Sequence, residues 1–155
     1  MSETLDIEQS EGTCNELKFV RFQLGLEHFA FSVESVTGII TWREVTPLPN
    51  VPDHLLGLGN LRGRTLPVTD LRIRLQVESS IPDKQGFIVV AESQNGQVGL
   101  LVDHVLEVLT VDESNIQREN LDIASDLQGV VVGIVNVNNI LVSILDTSSL
   151  VEVYP

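Results

Sequence analysis

The apolar residues of this chain come in short runs rich in valine, isoleucine and leucine, punctuated by turn residues. Alanine stands only at positions 30, 91 and 124, so the composition favours pleated sheet over helix. The clearest pair of runs is Leu56-Gly57-Leu58-Gly59-Asn60-Leu61 and Thr65-Leu66-Pro67-Val68-Thr69-Asp70-Leu71, joined by Arg62-Gly63-Arg64. This pattern reads as a β-hairpin with an arginine at its tip. An arginine there projects a planar, five-donor side chain from a rigid turn, a construction suited to binding and not to catalysis.

The two halves of the chain repeat one another. Phe29-Ala30-Phe31-Ser32-Val33-Glu34-Ser35-Val36, followed by Ile39-Ile40, matches Val98-Gly99-Leu100-Leu101-Val102-Asp103-His104-Val105, followed by Val108-Leu109. The segment Gly57 to Gly63 lines up with Gly133 to Asn139, and Leu66, Val68 and Asp70 line up with Val142, Ile144 and Asp146. The openings align as Phe19-Val20-Arg21-Phe22 against Phe87-Ile88-Val89-Val90. Three blocks repeated in the same order define an architecture before any single motif does. Each half then supplies a strand, a hairpin return, a valine-rich strand after a short turn, and a closing hairpin. A unit of about 70 residues with four or five antiparallel strands cannot stack two full sheets, so closure into a small barrel removes its edges. The expected fold is all-β, built from two pseudo-symmetric barrels with short helices.

Glu3, Asp6, Glu8, Glu11 and Glu16 precede the first base, Lys18, in a segment of little apolar periodicity, so an acidic, flexible tail is expected at 1–16 and one domain at 17–155. Within the domain the first barrel is expected at about 17–70, a linking helix and loop at 70–85, the second barrel at about 86–145, and a segment at 146–155 that packs back. Asp70 is placed to cap a short helix with Leu71 and Leu75 on one face. Ser79, Ser80, Pro82, Asp83 and Lys84 mark the loop between barrels. A second polar loop, Asp112 to Gln128, is expected to hold a helical turn near Leu121 to Leu127.

Charge and chemistry narrow the function. Twenty-two acidic against nine basic residues give a net charge of -13, which repels phosphate backbones and anionic lipid surfaces. Nucleic acid and direct membrane insertion are not expected. Cys14 is the single cysteine, which rules out an intramolecular disulfide and suits a reducing, cytoplasmic setting. The longest apolar run, Val130 to Val135, is far shorter than the ~20 residues of a spanning helix. Gly57, Gly59 and Gly63 lead into a strand, not into the helix whose N-terminus would hold a phosphate. His28 (placed in a Leu26-Glu27-His28 turn), His54 and His104 lie in separate segments, so no catalytic residue, metal site or cofactor is expected.

The arginines carry more information. Arg62, Arg64, Arg72 and Arg74 fall close together in an otherwise acidic chain, and charge balance on a solvated face, including pairs with the protein's own carboxylates, is the plain explanation for such a group. The counterpart of Arg62 in the second half, however, is Asn138. The architecture therefore tolerates a neutral residue at that turn, and arginine answers a need specific to the first half.

At these residues the chain resembles the CheW-like family, scaffold proteins that couple chemoreceptors to the histidine kinase CheA. The resemblance runs from about Leu17 to Leu150. It includes Val36 before an apolar strand, Thr46-Pro47-Leu48-Pro49-Asn50, Asn60-Leu61-Arg62-Gly63, Leu66-Pro67-Val68-Thr69-Asp70-Leu71-Arg72, and Val98 to Val105. It implies two five-stranded SH3-like barrels around a shared interior, with a groove between them that receives the helical hairpin tip of a chemoreceptor. By matching position, Val36, Asn60, Arg62, Gly63, Phe87 and Ile88 would form the receptor face, with Asn60 and Gly63 shaping the turn. Kinase-docking residues stay unknown, with the second barrel favoured. The family reading implies a non-enzymatic adaptor, a monomer in isolation, recruited from the cytoplasm to membrane receptor arrays. The same fold could serve a twitching-motility (type IV pilus) or other chemotaxis-like pathway. A small-ligand or enzymatic barrel is the remote alternative and would show as a deep polar pocket. Two departures stand out: Gly59, expected to loosen the strand before the arginine, and the proline-free stretch Gln117-Arg118-Glu119-Asn120.

Overall fold

A computed structural model describes residues 15–42, 44–77, 86–93, 96–119, 121 and 129–150. Along these residues the chain forms β1 (Glu16–Leu24), β2 (Glu27–Ser32), β3 (Val36–Thr41), β4 (Leu55–Leu61), β5 (Arg64–Asp70) and a short helix α1 (Leu71–Arg74). It continues as β6 (Phe87–Ser93), β7 (Gly96–Val102), β8 (His104–Asp112), β9 (Val131–Val137) and β10 (Ile140–Leu145). Sheet A runs β8-β1-β2-β10-β9 and sheet B runs β3-β6-β7-β5-β4, so the expected all-β architecture of two five-stranded units is present. Isolated bridges tie in the segments beyond the edge strands: Thr46 pairs with Leu58 in sheet B, and Gln117 pairs with Ile134 in sheet A.

The barrels do not divide along the chain at 70–85. Sheet A combines the first hairpin of the first half, β1–β2, with the last three strands of the second half. Sheet B combines β6–β7 of the second half with β3–β5 of the first. The halves have exchanged their opening hairpins, and they meet in two parallel pairings, Ile144 opposite Ala30 and Val68 opposite Gly99. The connectors enforce the exchange. Only a single 3-10 turn, Val33–Ser35, separates β2 from β3, and only Asp103 separates β7 from β8, so the chain crosses directly to the other sheet. A repeat identifies equivalent strands but is blind to which copy a strand pairs with.

The opening alignment is also one residue out. Val20 faces Phe31 and Val89 faces Leu100, and Phe31 and Leu100 are counterparts in the repeat. Phe19 therefore matches Ile88, and the counterpart of Phe87 is Lys18. Side chains alternate across a strand, so a slip of one reverses the faces. Phe19 is buried in sheet A, whereas Phe87 is 36 % exposed.

Burial follows from the register. One face of each sheet meets the other in a shared core, where Phe22 stacks on Phe29 and Phe31 with ring centroids 5.8 and 4.8 Å away. Val89, Ala91, Val98, Leu100 and Val102 complete that core from sheet B. The opposite faces fill the barrel interiors, with Phe19, Ala30, Val142 and Ile144 in A, and Val68, Ile88 and Leu101 in B. Removing so buried an aromatic as Phe22 would cost about 3–5 kcal/mol.

Asp70 caps α1 as expected, accepting from the Arg72 amide at 3.0 Å, and Leu71 and Leu75 are buried. The matching Asp146 accepts from the Ser148 amide at 3.1 Å and starts a 3-10 turn that delivers Leu150 into the shared core. The tail with Cys14, the loop at 78–85, the turn expected near Leu121 to Leu127, and 151–155 fall, wholly or almost wholly, outside the described residues.

Candidate functional site

The β4–β5 hairpin closes with Leu61 opposite Arg64, leaving Arg62 and Gly63 as a two-residue turn with φ of 53° and 80°. Two positive φ values define the mirror-image turn whose twist matches that of the strands. The Asn60 side chain accepts from the Gly63 amide at 3.1 Å and pins the turn. The β9–β10 hairpin repeats the design. Val137 faces Ile140, Asn138 and Asn139 have φ of 52° and 68°, and Asn136 accepts from the Asn139 amide at 2.9 Å. Asparagine and glycine suit the left-handed region, whereas arginine is strained there by about 1 kcal/mol. The first hairpin thus holds an arginine where local energetics favour the residue found in its twin. Gly59 does not loosen the approach, because the ladder is regular from Gly57 to Leu61 and the register shift lies before Gly57.

The hairpin overhangs a groove of about 320 Å³ at one mouth of barrel B. Ile39, Ile40, Leu61 and Val90 supply apolar lining, Thr37, Gly38 and Gln97 complete the wall, and Arg62 and Arg64 stand at its edge. Both arginines are exposed, so the cationic edge faces solvent in a strongly acidic molecule. Arg72 belongs to a different structure. It is 4 % exposed, with Nε 2.9 Å and Nη2 3.1 Å from the two Asp70 carboxylate oxygens and Nη1 3.3 Å from Asp103. Burial opposes its charge, but the two carboxylates more than offset this and raise its pKa. The arginine group therefore splits into a surface pair and a structural member.

The fold brings Asn60, Arg62 and Gly63 together at the turn. Val36 and Phe87 lie on the face of sheet B that turns toward the shared core, opposite Ala91 and Thr41 respectively. Ile39, opposite Val89 on that same face and 44 % exposed, was not anticipated. Strict alternation groups Val36 with Gly38 and Ile40. The register shift between Val36 and Gly38 swings Ile39 round instead, and Gly38 was the sequence cue to that bulge. Ile88 is 1 % exposed inside barrel B against Val68 and Leu101, so it supports the sheet from behind and does not present a contact surface.

The equivalent mouth of barrel A is built differently. Arg21, His28 and Glu107 occupy the positions of Val90, Gln97 and Gly38, as the pairings of Arg21 with Ala30 and Val90 with Gly99 establish. Arg21 Nη2 lies 2.8 Å from one Glu107 oxygen and 3.0 Å from the other. His28 is not in a turn, since Glu27 already begins β2. Burial and then the Arg21 charge lower its pKa, with Glu107 opposing. Glu107 is held below its ordinary pKa by its own backbone amide, against burial, with Arg21 adding to the pull. Among the described residues, no group of His, Cys, Asp and Glu is arranged to hold a metal ion, and no helix is long and apolar enough to cross a membrane.

Residues 18–154 match the CheW-like domain family. The chain belongs to the CheW-like family. The chemotaxis protein CheW of Rhizobium meliloti is 38 % identical over 111 residues, 72 % of this chain and 71 % of that protein. The chemotaxis protein CheW of Bacillus subtilis is 33 % identical over 136 residues, 87 % of this chain and 86 % of that one. The crystal structure of the scaffolding protein TtCheW from Thermoanaerobacter tengcongensis superposes with a TM-score of 0.77 at 27 % identity, over 85 % of this chain and 90 % of that one. This CheW-like chain is therefore a scaffold-type protein of chemotaxis signalling and not an enzyme. Gln117, the first residue of the proline-free stretch, still closes barrel A, because it exchanges two backbone hydrogen bonds of 2.9 Å with Ile134.

Proposed function

We propose that this CheW-like protein is an adaptor that couples the cytoplasmic hairpin tip of a chemoreceptor to the histidine kinase CheA. The observation that carries the reading is Arg62, strained at φ 53° in a hairpin whose twin uses Asn138. The receptor face consists of Arg62 on its Asn60–Gly63 turn, with Val36, Ile39 and Phe87 on the adjoining face of sheet B and Ile88 behind them. An apolar surface edged by two guanidinium groups suits a helical hairpin that is apolar with acidic residues. The kinase docks on sheet A, which carries exposed Val108, Ile140 and Leu141. Holding both partners raises their effective concentration and couples the receptor's conformational equilibrium to the kinase. The adaptor is monomeric in isolation and collects at receptor arrays.

The test is co-sedimentation with receptor-containing membranes. Arg62→Glu is expected to weaken receptor association by about tenfold, a loss typical of a central arginine contact. Its melting temperature should stay at or slightly above that of the native chain. Undiminished co-sedimentation of the variant would reduce Arg62 to a surface charge. A pull-down that names the bound receptor and kinase assigns the pathway.

A further inference from the structure

The face of sheet B that carries Val36, Ile39 and Phe87 turns toward sheet A, so a partner seated on it lies in the groove between the two barrels. The shape of that groove depends on how the barrels are held against one another. Much of their contact is the shared apolar core, and apolar burial has no preferred direction, so packed layers can slide by small amounts. Directional contacts remove that freedom. A buried set of them sits beside Phe87, which pairs with Val102, the residue before Asp103. Asp103 alone connects β7 of sheet B to β8 of sheet A. Its Oδ2 accepts from the Gly25 amide in the β1–β2 turn at 2.8 Å, and its own amide donates to the Gln23 carbonyl at 3.2 Å. Its Oδ1 lies 3.3 Å from Arg72 Nη1, and Arg72 is held in turn by both carboxylate oxygens of Asp70, the last residue of β5. One ionic chain thus joins the two sheets, and its three charged members are at most 5 % exposed.

The duplicated position is finished differently. Asp146 starts its turn as Asp70 does, but Ser148 stands in place of Arg72 and Glu34 in place of Asp103, both exposed. Glu34 and Asp146 there border a cavity of about 540 Å³. The turn forms without the arginine, so the ionic chain answers a need of the side on which Phe87 lies. We propose that Asp103 is a positioning residue for receptor docking, latching barrel A to barrel B through Gly25 and Arg72 and so fixing the width of the groove beside Phe87. The inference rests on the reading that the receptor docks on this face of sheet B, beside the Arg62 hairpin. Asp103 is 1 % exposed and does not itself meet the receptor. It holds the groove at the width the tip needs, so that binding does not have to order it. With the latch cut, the barrels populate other widths, and the apparent affinity falls with the fraction that stays competent.

Cutting the latch tests the inference. The probe is a soluble receptor fragment carrying the hairpin tip, titrated calorimetrically into the full chain below its melting transition. Asp103→Ala should bind about tenfold more weakly, as when the competent fraction falls to about a tenth. Val135→Ala, inside barrel A and away from the latch, is the control that loses stability and should bind as the native chain does. Nitroxide labels on Glu92→Cys in sheet B and Thr110→Cys in sheet A, both exposed positions, report the distance between the barrels by pulsed electron resonance in a Cys14→Ser background. The distance distribution should broaden in Asp103→Ala and stay native in Val135→Ala. Should Asp103→Ala fail to fold, Asp103→Asn supplies the test, since it keeps an acceptor for the Gly25 amide but no charge for Arg72. Native-strength binding by the folded latch variant, an equal loss in Val135→Ala, or a native distance distribution in the latch variant overturns the inference. If Arg62→Glu itself leaves binding intact, the docking reading falls instead.

Discussion

At the scale of single residues, Arg62 sets stability against binding. Its side chain makes the left-handed turn less favourable than the asparagine of the twin hairpin by about 1 kcal/mol. Arg62→Asn should therefore raise the melting temperature by roughly 2–4 °C, measured by circular dichroism, while weakening receptor association. An unchanged or lower melting temperature would mean that the turn is not strained. The asymmetry with Asn138 was legible in the sequence, because the repeat set the two tips side by side. The strain was not, since it depends on Leu61 pairing with Arg64. His28 gives the second residue-scale prediction. Burial and Arg21 lower its folded pKa below the ordinary value of about 6.5, so the unfolded chain binds more protons in the window beneath that value. Stability should be full above about pH 6.5 and fall as the pH drops through the window toward the folded pKa. His28→Gln, which copies Gln97, should flatten that part of the profile in urea titrations at pH 7.5 and 5.5. An equal acid loss in the variant would place the sensitivity elsewhere.

At the scale of elements, the glycines at the third positions of β4 and β9 look equivalent in sequence and are not equivalent in structure. Both stand where a segment returns to close its barrel, Thr46 bridging to Leu58 and Gln117 to Ile134. A β-carbon on Gly57 would lie 2.1 Å from the Thr46 carbonyl oxygen, on a backbone with φ of 149°. One on Gly133 would meet the Ile116 Cγ2 methyl at 2.7 Å, on ordinary backbone. The Thr46 carbonyl, which accepts from the Leu58 amide at 2.8 Å while the Thr46 amide donates back at 2.9 Å, cannot move aside, whereas a side chain can change rotamer. Gly57→Ala is expected to cost about 3 kcal/mol and Gly133→Ala about 1 kcal/mol, read from urea midpoints at constant slope. Equal losses would show that barrel closure is no tighter at Thr46 than at Gln117. Strand identities and both hairpins were legible from apolar runs and turn residues. A lone glycine, Gly38, does not fix a bulge, so the face of Ile39 was not legible: one inserted residue reverses the faces downstream.

At the scale of the molecule, the exchange of opening hairpins decides how the protein unfolds. The repeat disclosed two barrels, but local similarity carries no information about which copy a strand pairs with, so the division at 70–85 was misplaced. Neither barrel is a contiguous piece of chain, and each contains a hairpin covalently committed to the other half. Asp103 fastens the exchange, since its carboxylate accepts from the Gly25 amide of the β1–β2 turn at 2.8 Å and lies 3.3 Å from Arg72, just beyond β5. It is 1 % exposed, and Arg72 brings a positive charge to within 3.3 Å of it. Arg72→Ala would leave Asp70 and Asp103 buried without their cation and should cost about 3–5 kcal/mol. The loss should fall on both barrels together. Trp42 reports on barrel B, where it packs beside Val68, Ile88 and Leu101, while far-UV circular dichroism reports on all strands. In urea the two signals should share one midpoint in the native chain, and a common, lower one in Arg72→Ala. Trp42 fluorescence moving ahead of the dichroism would mean that barrel B can open alone, and that the exchanged hairpins do not bind the two halves into one cooperative unit.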